Sequence, residues 1–120
     1  MPDKEPDIYK RSYNFSCQLI KTIKVLPSDQ ISRIMISQLI RSGTSISANL
    51  YEAKYAASRK DFINKVAISL KETRETIYWM QILQDTGYAN HALKELSAEC
   101  TELLKILSSI KLNSQKSAPV

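Results

Sequence analysis

Residues 38–54, QLIRSGTSISANLYEAK, form an unusual helical segment, because small and hydroxyl-bearing side chains are mixed with aliphatic ones around a single glycine. In a helix, steps of three and four residues return to the same face. The inward stripe through this segment would then consist of Ile31, Met35, Gln38, Ser42, Ile46, Asn49 and Ala53. A buried amide without a partner costs about 1–3 kcal/mol. The pattern therefore predicts a hydrogen-bond network, a close helix approach or a functional site.

The composition around this segment is that of one all-α domain. The chain has 120 residues with only two glycines and four prolines, and three of those prolines lie near its ends. Few positions are therefore suited to β-turns. No apolar run approaches the roughly 20 residues of a membrane span, and the polar beginning of the chain does not resemble a signal peptide. These features predict a cytoplasmic protein.

Four helices are predicted from their start and stop signals and from their apolar periodicity. Helix 1 runs from about Asp7 to Leu26, helix 2 from Ser28 or Asp29 to about Ala56, helix 3 from Ser58 to a cap at Gly87, and helix 4 from near Asn90 to about Leu112. Short connections favour an antiparallel up-down-up-down four-helix bundle over residues 8–112. Residues 1–7 and 113–120 are predicted to be disordered tails.

Apolar stripes on helices 1, 3 and 4 define the rest of the predicted core. Their members are Ile8, Ser12, Phe15, Leu19, Ile23 and Leu26; Phe62, Val66, Ser69, Thr73, Ile77 and Met80; and Leu93, Leu96, Cys100, Leu103, Leu107 and Ile110. Helices 2 and 3 each carry a second, partly apolar face, and a helix that is apolar on two faces is wedged between neighbours or buried in an oligomer. The predicted oligomer interface consists of Ile36, Ile40, Gly43, Tyr51, Ile68, Trp79 and Ile82.

Polar residues on helices 2 and 3 are predicted to form a buried network. Its members are Gln38, Arg41, Ser42, Asn49, Glu52, Glu72 and Glu75. If the two helices pack antiparallel, Arg41 can meet Glu72 or Glu75. A charged pair inside a bundle often fixes the register of the helices rather than adding stability. We therefore favour a structural interpretation of this network over a catalytic one.

The sequence favours neither catalysis nor metal binding. Di-iron bundles use Glu-x-x-His pairs, whereas the one histidine, His91, has a tyrosine three residues before it. No Gly-x-Ser-x-Gly motif and no glycine-rich phosphate loop occurs. Cys17 and Cys100 lie at helical positions that suit reduced core thiols. We therefore predict a protein without enzymatic activity, bound metal or cofactor.

Basic residues provide the main functional indication. The net charge is +5 and the sequence pI is about 9.2, which favours an acidic partner such as nucleic acid. The candidate nucleic-acid-binding residues are Lys54, Arg59, Lys60 and Lys65 around the helix 2–3 connection, and Lys10, Arg11, Lys21 and Lys24 on helix 1. Tyr51 and Tyr55 lie near the first group, where they could stack on bases. The alternative is an ordinary solvated surface.

One set of residues extends over nearly the whole chain, from about Ile8 to Leu107. It comprises Tyr9, Ser12, the Leu26-Pro27 break, the pattern QLxRSxxSIxxNxxE at 38–52, Phe62, Ala67-x-Ser69, Glu72 and Gly87-Tyr88. In these residues the chain resembles the "four helix bundle protein" family, also described as proteins encoded by the intervening sequence of bacterial 23S ribosomal RNA genes. That resemblance implies a small bacterial bundle that assembles into a ring-like homopentamer.

The chain departs from this family at two helical positions. The family usually has glycine where this sequence has Ala53 and Ile68, so larger side chains stand at sites of expected close packing. The chain is also similar, more distantly, to the accessory protein of diversity-generating retroelements. That protein is a basic pentameric bundle that binds nucleic acid and a reverse transcriptase.

Two functions remain open from the sequence. The first is a homo-oligomeric bundle that binds RNA or DNA through a basic surface repeated around the assembly, because many weak contacts acting together bind well. The second is a scaffold or accessory subunit that binds a protein partner through its second apolar faces, with incidental basic charge. Neither function involves a membrane.

Overall fold

The computed structural model describes residues 7–88 and 90–116, and within them it contains four α-helices and no strand. The helices are α1 (Ile8–Lys24), α2 (Gln30–Lys54), α3 (Arg59–Asp85) and α4 (His91–Lys116). The helices pack in the pairs α1–α2, α2–α3, α3–α4 and α1–α4, and the α2–α3 pairing is the most extensive. This arrangement confirms the predicted all-α fold and is that of a four-helix bundle.

The starts of the first three helices follow the predicted caps. The Asp7 carboxylate accepts a hydrogen bond from an N–H in the first turn of α1. Asp29 accepts from the Ser32 N–H, and the Ser32 hydroxyl accepts from the Asp29 N–H, which completes a capping box. Ser58 accepts from the Asp61 N–H at 3.1 Å. These caps satisfy backbone donors that the helix itself cannot use.

A glycine ends α3. Gly87 has a φ of +88°, a left-handed conformation in which a side chain would be strained. The Tyr88 N–H donates to the Leu83 carbonyl at 2.9 Å, and the Gly87 N–H donates to the Gln84 carbonyl at 3.4 Å. Together these bonds form a Schellman motif, as expected from the sequence around Gly87.

The ring of Tyr88 then connects the end of α3 to the start of α2. Its hydroxyl donates to the Asp29 carboxylate at 2.8 Å. The pKa of Asp29 is lowered by the Ser32 N–H and by this phenol, while the same bond raises the pKa of Tyr88. The connection holds the two loops at this end of the bundle together.

The last helix is longer than predicted. The structure continues α4 to Lys116, so residues 113–116 of the predicted C-terminal tail are helical. Periodicity missed them because Ser, Lys and Gln carry no apolar stripe beyond Leu112. The remaining parts of the two predicted tails, residues 1–6 and 117–120, lie outside the described residues.

The buried face of α2 differs from the predicted stripe. Ile31 is 67% exposed, and Gln38 and Asn49 are only half-buried, whereas Leu39 and Leu50 are fully buried. The buried face follows alternating steps of four and three: Ser32, Ile36, Leu39, Gly43, Ile46, Leu50 and Ala53. This buried face lies between the predicted inward stripe and the predicted second apolar face, because α2 packs against α1 on one side and α3 on the other.

Gly43 permits a close approach of α1 to α2. A Cβ atom at this position would overlap a methyl group of Leu19, and it would lie 3.7 Å from the Thr76 methyl. Ile36 is likewise in the core, at 8% exposure. Both residues were predicted at an oligomer interface, and that assignment is wrong because the single chain already buries them.

The two departures from the family glycines have different environments. Ala53 is buried in the core, where its methyl group is accommodated. Ile68 is exposed on the outside of α3, so its larger side chain enlarges an apolar surface rather than separating two helices of the chain.

Candidate nucleic-acid interface

The interior between α2 and α3 is lined by hydroxyl groups. Thr76 Oγ1 lies 2.9 Å from Ser42 Oγ and 2.7 Å from the Glu72 carbonyl oxygen. The Ser69 hydroxyl donates to the Ile46 carbonyl at 2.9 Å. These bonds satisfy the buried hydroxyls of Ser42, Ser69 and Thr76 and fix the register of the two helices.

A charged cluster covers the outer edge of this interior. Arg41 forms ion pairs with Glu72, at 3.2 Å, and with Glu75, and its Nε donates to Gln38 at 3.2 Å. The structure thus brings together four of the seven predicted network residues and shows both pairings expected from antiparallel packing. Arg41 compensates the buried Glu72 carboxylate, which argues against a metal-binding role for these acids.

The other predicted network residues lie elsewhere. Ser42 joins the hydroxyl groups of the interior instead of the charged cluster. Asn49 donates to the Ser45 carbonyl of its own helix at 2.8 Å, and Glu52 is exposed beside a groove against α1. Ser42 is buried and hydrogen-bonded, whereas Asn49 and Glu52 do not belong to a buried network. Asn49 was included because of the misplaced stripe of α2.

One end of the bundle carries a concentration of exposed cations. Because neighbouring helices are antiparallel, the starts of α1 and α3 meet the end of α2 at this end. Lys10, Lys54, Arg59 and Lys60 are exposed there, and we call these four residues the basic end. Lys54 contacts α1 directly, since its ammonium lies 5.5 Å from the centre of the Tyr9 ring.

The end of α4 adds a cation that the sequence pattern did not reveal. The Arg59 guanidinium donates to the Ser114 carbonyl at 3.3 Å, which places the last turn of α4 beside the basic end. Lys116 is exposed in that turn. It escaped the prediction because residues 113–120 were expected to be disordered.

Three of these cations lie at positions that are unfavourable for helix stability. Arg59 and Lys60 lie in the first turn of α3, and Lys10 lies in the first turn of α1. The helix dipole makes the N-terminal turn partly positive, so cations there cost about 0.3–1 kcal/mol each at low salt. Helix stability therefore does not explain these three cations, whereas Lys54 and Lys116 lie in last turns, where the helix dipole favours a cation.

The other predicted basic residues do not belong to this end. Lys21 and Lys24 lie in the last turn of α1, about 20 Å from Lys10 along the helix. Lys65 is half-buried in the second turn of α3. The structure therefore places only some of the predicted nucleic-acid-binding residues at the basic end.

Arg11 is engaged by an acid of the same chain. Its guanidinium makes two hydrogen bonds to the Glu99 carboxylate, at 2.7 and 2.8 Å. The bond to Glu99 raises the pKa of Arg11. This bidentate pair joins α1 to α4 and neutralises the charge, which argues against Arg11 as a phosphate ligand.

An apolar groove of about 480 Å³ runs between α1 and α2 beside the basic end. Its walls include Tyr9 and Tyr13 of α1 and Tyr51 of α2, and Lys54 lies at its border. We call it the tyrosine groove. Tyr55 adds a ring next to it, in an edge-to-face contact with Tyr51 at 5.3 Å between ring centres.

A separate apolar surface lies on the outside of α2 and α3. Ile31 and Ile34 are 67% and 68% exposed, Ile68 and Tyr78 are also exposed, and Trp79 and Ile82 are half-buried. The bond between Ser69 and Ile46 and that between Thr76 and Ser42 place Ile34 at about the level of Ile82. We call these six residues the outer apolar face. Ile68 lies about 20 Å from Ile82 along α3, so it is separate from the other five. Within the described residues, the buried Trp79 Nε1 has no hydrogen-bond partner.

The outer apolar face only partly matches the predicted oligomer interface. Ile68, Trp79 and Ile82 belong to both, whereas the half-buried Ile40 and the exposed Tyr51 lie on other parts of α2. Ile31 was assigned to the core and Ile34 was not assigned. Ile31 and Ile34 are three residues apart and lie outside the buried face of α2. This spacing is the signal that could have identified them.

The titratable residues show no arrangement suited to metal binding. Residues 7–88 and 90–116 contain no group of three or more His, Cys, Asp or Glu side chains that could hold a metal ion. His91 is exposed, with Nε2 3.3 Å from Glu95. Burial raises the pKa of the Cys100 thiol to about 12, and Cys17 is also a free thiol. No helix among the described residues is long and apolar enough to cross a bilayer.

Comparisons with known proteins give a consistent result. A solved crystal structure of a protein of unknown function, from the S23 ribosomal protein family of Bacteroides thetaiotaomicron, is similar to this chain with 40% identity and a TM-score of 0.80. The similarity covers 88% of this chain and 98% of that protein. A search of curated proteins found no match. Residues 4–109 match the family model described as 23S rRNA-intervening sequence protein, and the chain belongs to this family.

Proposed function

We propose that this protein is a non-enzymatic, self-assembling bundle that binds RNA or DNA through the basic end. The observation that carries the proposal is the group of exposed cations in the first turns of α1 and α3, where they oppose the helix dipoles. Phosphates would relieve this repulsion and would also meet the positive helix ends. The net charge of +5 acts in the same direction over longer distances.

Self-assembly would turn a weak site into an effective one. The four cations of one basic end can neutralise only a few phosphates, and affinity rises with the number neutralised. Subunits packed through the outer apolar face would present several basic ends together, which raises the effective concentration. The resemblance to the bundle family suggests a pentamer for this assembly.

The test compares two double variants that each remove two cations. In R59Q/K60Q the change lies in the basic end, and in K21Q/K24Q it lies at the opposite end of α1. We expect filter binding of duplex DNA by the wild type to weaken steeply with salt, with a slope near −0.9 for each phosphate contacted. R59Q/K60Q should flatten that slope, while K21Q/K24Q should leave it almost unchanged.

The variants also separate binding from folding. R59Q/K60Q removes an unfavourable interaction with the helix dipole but also the exposed hydrogen bond from Arg59 to Ser114, so we expect little net change in stability. Circular dichroism would verify that lost binding does not reflect unfolding. Absence of binding by the wild type, or equal effects of the two double variants, would overturn the proposal.

The outer apolar face supports a second candidate function, a scaffold for a protein partner. Ile34→Glu places a charge on this face at a position that is 68% exposed, so the monomer should remain folded. A smaller mass by light scattering would assign the face to self-assembly. An unchanged mass together with loss of a co-purified protein would favour the scaffold.

A further inference from the structure

Two rings of the tyrosine groove, Tyr13 and Tyr51, have no role in the core, whereas Tyr9 packs against it. Tyr13 and Tyr51 are 63% and 62% exposed, although α1 and α2 already bury a continuous apolar face. The groove exists because α2 carries small residues, Ser47 and Ala48, opposite the tyrosines. The Ser47 hydroxyl is already bonded to Ser16 at 2.8 Å, so the floor offers mainly apolar and aromatic surface.

The groove is continuous with the basic end through one residue. The Lys54 ammonium lies 5.5 Å from the centre of the Tyr9 ring and 6.0 Å from the centre of the Tyr55 ring. A cation held over these rings can meet a phosphate while an adjacent base reaches a tyrosine. Grooves of this size, about 480 Å³, fall in the range of ligand sites in proteins.

We propose that the tyrosine groove binds bases of single-stranded nucleic acid, with Lys54 contacting the adjacent phosphate. This inference rests on the proposed binding of nucleic acid at the basic end. Stacking requires an open base face, which single strands offer and a duplex hides between its own bases. The aromatic rings and the cation therefore match a single strand better than a duplex.

Glu52 determines on which side of the groove the backbone of the bound strand would lie. Its exposed carboxylate lines the groove and repels phosphate. The backbone would follow the Lys54 side, while the bases point toward Glu52. There the carboxylate can accept a hydrogen bond from an exocyclic amino group of a base.

The test measures fluorescence anisotropy with labelled RNA of mixed sequence, about 16 nucleotides long, as a single strand and as a blunt duplex. The variant is Y13L/Y51L, which keeps apolar side chains but removes two rings. The control is Val25→Ala, at a position after the far end of α1 that is 76% exposed and lies outside the tyrosine groove and the outer apolar face. All three positions are exposed, and circular dichroism would verify that the variants fold.

We expect Y13L/Y51L to lose about tenfold to a hundredfold in affinity for the single strand, with little change for the duplex. Val25→Ala should bind both as the wild type does. Salt-dependent binding of both forms with no effect of Y13L/Y51L would overturn this inference and leave the proposed function intact. An equal loss for strand and duplex would also overturn it. No binding by the wild type would overturn both proposals.

Discussion

The interior between α2 and α3 and the buried stripe of α4 hold the same bundle together by different means. The first is lined by hydroxyl groups, and the second by leucines. Their fully buried members are Ser42, Ser69, Thr73 and Thr76 on one side, and Leu93, Leu103 and Leu107 on the other. The hydroxyls bond to specific oxygens on their own helix and the facing one, whereas leucine packing has no such direction.

Leucines and hydroxyls contribute to different properties of the bundle, the leucines to its stability and the hydroxyls to the register of its helices. Leucines supply most of the free energy of burial, and they tolerate repacking as long as volume is conserved. The hydroxyls contribute little net free energy, but a shift of one helix by one turn would break the bonds that cross between the helices, from Ser69 to Ile46 and between Thr76 and Ser42. The leucine stripe therefore determines that the helices associate, and the hydroxyl interior determines the register in which they pack.

The largest expected effect is in the leucine stripe. Leu103→Ala should reduce the free energy of unfolding by about 2–5 kcal/mol, because it removes buried methyl groups and leaves a cavity. Urea unfolding followed by circular dichroism at fixed protein concentration measures the change. Leu112→Ala, at a half-exposed position of the same helix, should change it by less than about 0.5 kcal/mol. Similar losses in both variants would contradict the assigned core.

A smaller effect is expected in the charged cluster beside the hydroxyl interior. Arg41→Met leaves the buried Glu72 carboxylate without its partner. Since the Arg41 side chain is 49% exposed and partly screened by water, we expect a loss of only about 1–2 kcal/mol. Arg74→Met, at an exposed position on the same bundle, is the matched control and should be nearly neutral in the same urea experiment. If Arg41→Met leaves the free energy of unfolding unchanged, water rather than Arg41 compensates the charge of the Glu72 carboxylate.

The smallest effects are expected for the hydroxyl pair itself. Thr76→Val and Ser42→Ala should each cost about 1 kcal/mol, since each leaves one buried group with a poorer partner. The double variant should cost less than the sum by at least about 0.5 kcal/mol, because the two groups share one bond. Additive losses in a double-mutant cycle would mean that the hydroxyls act independently and do not set the register.

The sequence predicted the leucine stripe better than the hydroxyl interior, for a physical reason. Leu93 to Ile110 follow one uninterrupted period, so the buried face of α4 can be read from periodicity alone. Gly43 and Ser42 fit several faces equally well, because small residues do not distinguish contact with a neighbouring helix from contact with another subunit. Which face of α2 is buried depends on both α1 and α3, and periodicity within one helix cannot supply that information.

The candidate site could be predicted only in part, and the reason is related. Cations next to a loop, such as Arg59 and Lys60, can be read from the sequence together with their position in a helix turn. The neutralisation of Arg11 by Glu99 cannot, because the two residues are 88 positions apart in sequence. The tyrosine groove likewise combines α1 and α2 side chains whose proximity depends on the register of the helices.

The Arg11–Glu99 pair also has a consequence for the order of folding. Contacts between α2 and α3 close over the short segment 55–58, whereas this pair joins the first helix to the last. Because loop-closure entropy rises with the length of chain enclosed, we expect the α2–α3 hairpin to form in the transition state and α1 to dock onto α4 later. In stopped-flow experiments, substitutions between α2 and α3 should then slow folding, and disruption of the Arg11–Glu99 pair should mainly accelerate unfolding.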